Sequence, residues 1–118
     1  MLRVRWLGRV AYQESVDLQR HLFNSSSDDH LLLVEHEHVF TGGSNANLSN
    51  LLIEPTSVGA SYQSVDRGGD ITYHGPGQLT GYPILSLPGR RGGGLAETRA
   101  YVSQLEELLI SVLADVGL

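Results

Sequence analysis

Leu2, Val4 and Trp6 alternate with Arg3 and Arg5, a period-two pattern that predicts a short opening strand with one face turned to water. In AYQESVDLQRHLF the apolar residues Tyr12, Val16, Leu18, Leu22 and Phe23 fall near helical spacing, and NSSSDD ends that helix as a polar loop. HLLLVEHEHVF comes next, and its run of four apolar residues reads as a strand buried on both faces and central in a sheet. Asn45 to Pro55 reads as mostly loop, SVGASYQSV as a further strand, TGYPILSL as another, and PGRRGGG as a flexible connector. Tyr101, Leu105, Leu108, Leu109, Val112, Leu113 and Val116 then follow the 3.6-residue period, so Ala96 to Val116 is expected to be an amphipathic helix capped by Gly117. Strand, helix, several strands and helix in that order give an α/β domain of the α+β type, a mixed sheet flanked by helices.

Composition narrows this picture. A chain of 118 residues, 41% hydrophobic and 18% charged, suits one globular domain with a modest core. A net charge of −5 argues against nucleic acid as a partner, and no apolar run approaches the roughly 20 residues that span a bilayer, so no membrane is expected either. MLRVRWLGRVAY is rich in arginine but alternates as a strand does, and so belongs to the fold rather than to a transit peptide. The chain has no cysteine, and all eight basic residues are arginines. Thiolate metal sites, disulfides and a cysteine nucleophile are therefore excluded within these residues.

The most informative stretch is DRGGDITYHGPGQLTGYP, Asp66 to Pro83, with five glycines, two prolines and one histidine. A Walker-type phosphate loop needs a lysine, which is absent, and Gly75, Gly77 and Gly81 miss the dinucleotide spacing and lead into a strand rather than a helix. Paired tight turns would explain the glycines alone. The addition of Arg67, Thr72, Tyr73, His74 and Gln78 suggests instead a backbone that approaches a ligand closely, with Arg67 as a bidentate donor beside Gly68 and Gly69. His74 is open to two roles, tuning the site or holding the turn. His36 and His38 would share one face of an extended strand, a spacing zinc can use, but no third ligand accompanies them and no metal is expected.

At this spacing RGGDITYHGPGQLTGYP resembles the signature of the lipoyl(octanoyl) transferases. Arg67, Gly68, Gly69, Thr72, Tyr73, His74, Gly77, Gln78 and Tyr82 each fall on a position of that pattern. LGRVAYQESVDLQ, LLLVEHEHVFTGG and YVSQLEELLISVLADVGL extend the resemblance over essentially the whole chain. It implies the fold of biotin and lipoate protein ligases and a cofactor-free acyltransferase. The donor would be octanoyl-acyl carrier protein, and the acceptors lipoyl domains of 2-oxoacid dehydrogenase E2 subunits and the glycine cleavage H protein. The setting would be cytoplasmic in a bacterium and mitochondrial in a eukaryote.

By the same resemblance Arg67, Gly68, Gly69, Asp70, Ile71, Thr72, Tyr73 and His74 line the substrate pocket, joined by Gly77, Gln78, Tyr82 and His36; by their apolar character Tyr73 and the leucines of PILSL are expected to supply apolar lining. The family's nucleophilic cysteine and the lysine that favours its thiolate have no counterpart here. Residues 1–118 are accordingly expected to be the N-terminal part of a single catalytic domain, truncated before its reacting atoms and inactive alone. Arg90 and Arg91, on the connector, read first as a solvated loop and alternatively as a contact for an acidic carrier protein. The alternatives are an ATP-dependent lipoate or biotin ligase relative, and a non-catalytic remnant that binds the carrier or lipoyl domains.

Overall fold

The structure, a computed structural model, describes residues 1–87 and 95–118. They fall into two compact units, 1–85 and 86–118. Arg90 and Arg91, with the rest of the PGRRGGG connector, lie outside the described residues.

The first unit holds two three-stranded sheets and one long helix. Strand β1 (Leu2–Val10) pairs in parallel with β2 (Asp29–His36), as it must when helix α1 (Tyr12–Ser25) makes the crossover between them. Strand β6 (Thr80–Ile84) pairs antiparallel on the other side of β2, giving the order β1-β2-β6. In the second sheet β3 (Val39–Gly42) is central, parallel to β4 (Ser61–Ser64) and antiparallel to β5 (Ile71–His74).

The period of two decides what β2 buries. His30, Leu32, Val34 and His36 are buried, while the intervening residues are half-buried. β2 is central, as its apolar run predicts. On α1, Ser15 and Leu22 are buried and Tyr12 and Val16 half-buried, a helical stripe directed at that face. Val39 and Thr41 from β3, with Ala60, complete the small core.

Several boundaries differ from the sequence reading. HLLLVEHEHVF is two strands in two sheets, because the chain leaves the first sheet after His36 and enters the second at Val39. His36 is buried and His38 exposed, so the two histidines do not share a strand face. SVGASYQSV shrinks to β4, since Pro55, which has no N–H to donate, starts a 3-10 turn over Pro55–Val58. TGYPILSL keeps its strand only as far as Ile84. Phe23, placed on the helix's apolar side by spacing, is 78% exposed, one position past the buried Leu22. On β1 the apolar residues are not covered: Leu2, Val4 and Trp6 are 55%, 57% and 59% exposed, in register with Asp29, Leu31 and Leu33 on the less buried face of β2.

The second unit is built on helix α2 (Leu95–Asp115), within one residue of the span its periodicity predicts. It closes with Gly117 at φ +86°, where the Leu118 N–H returns to the Leu113 carbonyl and the Gly117 N–H to that of Ala114. This is the paired bonding of a glycine-terminated helix. No helix among the described residues is long and apolar enough to cross a membrane.

Candidate active site

Two loops meet beside the second sheet. The segment after β3 lies against Arg67–Asp70. The Gly43 N–H donates to the Asp70 carbonyl, Ser44 to that of Arg67, and Asn45 to that of Gly69. Contact is closest at Gly43. A Cβ there would stand 2.5 Å from the Gly69 carbonyl oxygen and 2.7 Å from the Arg67 guanidinium, distances that no side chain tolerates. Gly69 itself is at φ +91°, which turns the Arg67-Gly68-Gly69 backbone toward that strand end.

Side chains fasten the same junction. One terminal nitrogen of Arg67 donates to both the Thr41 carbonyl, at 2.9 Å, and the Thr41 hydroxyl, at 2.7 Å. The other donates to the Gly68 carbonyl at 2.9 Å. The Asp70 carboxylate accepts the Asn47 N–H at 2.8 Å and the Asn50 side-chain amide. These bonds, with Asn47 foremost, hold its carboxyl below the usual carboxylate range.

A second group forms where the two sheets join. His36 ends β2, His74 ends β5 opposite Val39, Tyr12 starts α1 just after the strand that pairs with His36, and Tyr82 lies on β6. Ring centroids of Tyr12 and His36 are 5.3 Å apart, His36 and His74 5.7 Å, and His36 and Tyr82 5.8 Å. Tyr12 stacks on His74 at 6.2 Å with an interplanar angle of 13°.

The protonation of His36 follows from its partners. Its Nδ1 lies 2.8 Å from the Val10 carbonyl, which can only accept, so Nδ1 carries the hydrogen. Nε2 then accepts from the Tyr82 hydroxyl at 2.7 Å. Burial lowers the His36 pKa, with repulsion from His74 in the same direction, against the bond to Val10. Burial also pushes the Tyr82 phenol up to about 12, with Tyr12 adding and the Ser15 hydroxyl opposing. Tyr12 is raised as well, chiefly by burial. Tyr12, His36 and Tyr82 are thus all shifted toward their neutral forms.

Beside it opens a cavity of about 530 Å3, lined by Tyr12, Val16, Arg20, Val65, Arg67 and Tyr82 among others. Tyrosine rings and valines give it apolar wall, Arg67 brings a guanidinium, and the charge of Arg20 is met by Asp66, which also lines the cavity, at 3.8 Å. Such a cleft suits a ligand with an apolar portion and a polar group.

Residues 11–118 match the family described as the lipoyl protein ligase A/B catalytic domain. The chain belongs to this family. It is 43% identical to an octanoyltransferase of Solibacter usitatus, aligned over 98% of this chain and 54% of that protein. It is also 44% identical to octanoyltransferases of Syntrophotalea carbinolica and Mycolicibacterium gilvum, over 98% of this chain in each case and 53% and 46% of theirs. The chain spans about half the length of these curated relatives.

Arg67 and Tyr82 reach the cavity wall, and His36 and His74 stand behind Tyr12 and Tyr82. Gln78 reaches the site through His74, with its Oε1 2.6 Å from His74 Nδ1. Gly68 has open space around it, and Thr72 is exposed on β5. Ile71 is half-buried opposite Gly42. Tyr73 packs on Phe40 at 5.2 Å and bonds His38, so it does not line the cavity; neither does Leu85. Gly77, at φ +84°, forms the turn after His74.

Tyr12, Thr41, Gly43, Asn47 and Asn50 escaped the sequence reading, because each acts through residues 20 or more positions away. The Thr-Gly after the buried strand was the available signal. Among the described residues no group of three or more His, Cys, Asp or Glu could hold a metal ion.

Proposed function

We propose that the whole protein transfers an octanoyl group from octanoyl-acyl carrier protein to a lysine of lipoyl domains, such as those of 2-oxoacid dehydrogenase E2 subunits and the glycine cleavage H protein. The observation that carries this reading is the unbroken motif from Arg67 to Tyr82 beside a cleft walled by Tyr12, Tyr82 and two valines, in a chain 43% identical to an octanoyltransferase. In this reading residues 1–118 are the N-terminal part of one catalytic domain, acting in the cytoplasm of a bacterial cell. They form the wall that receives the acyl chain and its thioester carbonyl. The 118 residues contain neither cysteine nor lysine, so they supply binding and orientation rather than the nucleophile.

Arg67 is placed to serve twice. Its terminal nitrogens fasten the Gly68-Gly69 loop to Thr41 while its side chain borders the cleft. Tyr12, His36 and Tyr82, each shifted toward its neutral form, offer polar groups to an uncharged acyl group without placing a charge next to an alkyl chain.

The test is octanoyl transfer by the full-length protein from octanoyl-acyl carrier protein to a lipoyl domain, followed by intact mass with and without ATP. Transfer that needs no ATP supports the proposal. Transfer of free octanoate that requires ATP would make the protein a ligase instead, and binding without transfer would make it a non-catalytic carrier-binding protein. The 118-residue chain alone is expected to gain no stable octanoyl mass.

A further inference from the structure

We propose that Gln78 is a positioning residue that locks His74 in its Nδ1–H tautomer, leaving the Nε2 lone pair to accept a proton from the lysine amine during transfer. The inference rests on the reaction proposed above for the role of that lone pair, but not for the tautomer itself.

The tautomer follows from a chain of donors and acceptors. The Gln78 side-chain nitrogen donates to the Tyr73 carbonyl at 3.2 Å, and a carbonyl can only accept. This fixes which end of the amide faces His74. The Gln78 Oε1 therefore lies 2.6 Å from His74 Nδ1 and must receive a hydrogen from it. A neutral imidazole carries one N–H, so Nε2 is bare. In free histidine the commoner neutral tautomer has its hydrogen on Nε2, and the clamp opposes that preference.

The sequence HGPGQ builds this clamp. Pro76 and Gly77 occupy the middle of a four-residue turn, Gly77 has φ +84°, and the Gln78 N–H bonds back to the Gly75 carbonyl at 3.1 Å. Proline second and a positive-φ glycine third are the marks of a type II turn. The turn folds Gln78 back onto the ring four residues earlier. Tyr12 holds the other side by stacking on His74.

His36 supplies the contrast. It has the same tautomer, but its Nε2 is taken by the Tyr82 hydroxyl. Among the described residues no side chain donates to Nε2 of His74. Of the two adjacent imidazoles, only His74 keeps an unengaged Nε2 among the described residues. In the transfer, the amine nitrogen bonds to the thioester carbonyl carbon and the C–S bond breaks. The proton lost by the nitrogen goes to His74 Nε2 and then to the departing thiolate, which leaves as a thiol and restores the neutral ring.

Long-range 1H–15N correlation spectra of the full-length protein with 15N-labelled histidine read the tautomer directly, once His74 is assigned and the pH keeps its ring neutral. His74 is expected to be protonated at Nδ1, to remain so in Gln78→Glu, and to shift toward Nε2–H in Gln78→Leu. Turnover in Gln78→Leu should fall by about tenfold or more, with KM for the donor changed by no more than about twofold. Wild-type His74 protonated at Nε2 would overturn the proposal, and so would a Gln78→Leu protein with unaltered tautomer and turnover. If Gln78→Leu does not fold, the wild-type and Gln78→Glu spectra still decide the clamp. A protein that shows the Nδ1–H tautomer but transfers no octanoyl group would overturn the reaction and the amine role while upholding the clamp.

Discussion

Tyr82 donates its phenolic hydrogen to Nε2 of His36 across 2.7 Å, tying β6 to β2 through their side chains. His36 passes the connection on by donating from Nδ1 to the Val10 carbonyl on β1, so one buried imidazole spans all three strands of the sheet. Tyr82→Phe leaves a buried acceptor without its donor and should cost about 1–3 kcal/mol of unfolding free energy. Chemical denaturation of the two proteins measures this, and equal midpoints would show that the bond contributes nothing.

The same burial makes stability depend on pH. His36 is held neutral in the fold, whereas in the unfolded chain its imidazole protonates near the ordinary value of about 6.5. Its contribution is therefore complete above about pH 6.5 and is lost as the pH falls toward the lower folded value. Denaturant midpoints between pH 8 and 5 should decline, and the decline should be shallower in His36→Asn. A wild-type profile that rises on acidification would contradict the depressed pKa.

Tyr82 reports from the alkaline side. With its phenol near 12, against about 10 for an unfolded tyrosine, its share of stability is complete below pH 10 and is lost as the pH rises toward 12. Ultraviolet titration should show a late-ionising phenolate that is missing in Tyr82→Phe. If both proteins titrate alike, Tyr82 is not buried in solution.

Glycines of the loop junction should respond unequally to alanine. Gly43→Ala drives a Cβ into the carbonyls of Gly68 and Gly69 and should destabilise by about 1–3 kcal/mol. Gly68→Ala meets open space, and its effect should stay within about 1 kcal/mol. Thermal unfolding of both variants compares them; equal losses would mean that the two loops do not touch as described.

Arg67→Lys tests geometry against charge. A lysine ammonium keeps the charge but cannot span Thr41 and the Gly68 carbonyl with the guanidinium's planar fork. In the full-length protein both Arg67→Lys and Arg67→Ala should slow acylation by octanoyl-acyl carrier protein by about tenfold, or about 1.4 kcal/mol. Wild-type rates in Arg67→Lys would reduce the role of Arg67 to its charge.

What the sequence by itself determined was carried by short-range periodicity and by a contiguous motif. The helical repeat placed α2 within a residue, the apolar run of β2 marked a central strand, and Arg67–Tyr82 marked the candidate site. Each signal is local, since a helix stripe or a turn is written within a few positions. Only the tertiary structure decided what depends on distant partners. It split HLLLVEHEHVF between two sheets, buried His36 and exposed His38, and left Leu2, Val4 and Trp6 exposed on β1. It also assigned Arg67 to Thr41, Asp70 to Asn47 and Asn50, and His74 to Tyr12. A side chain's face is periodic, but which surface meets that face, and which donor meets which acceptor, is set by how the strands pair.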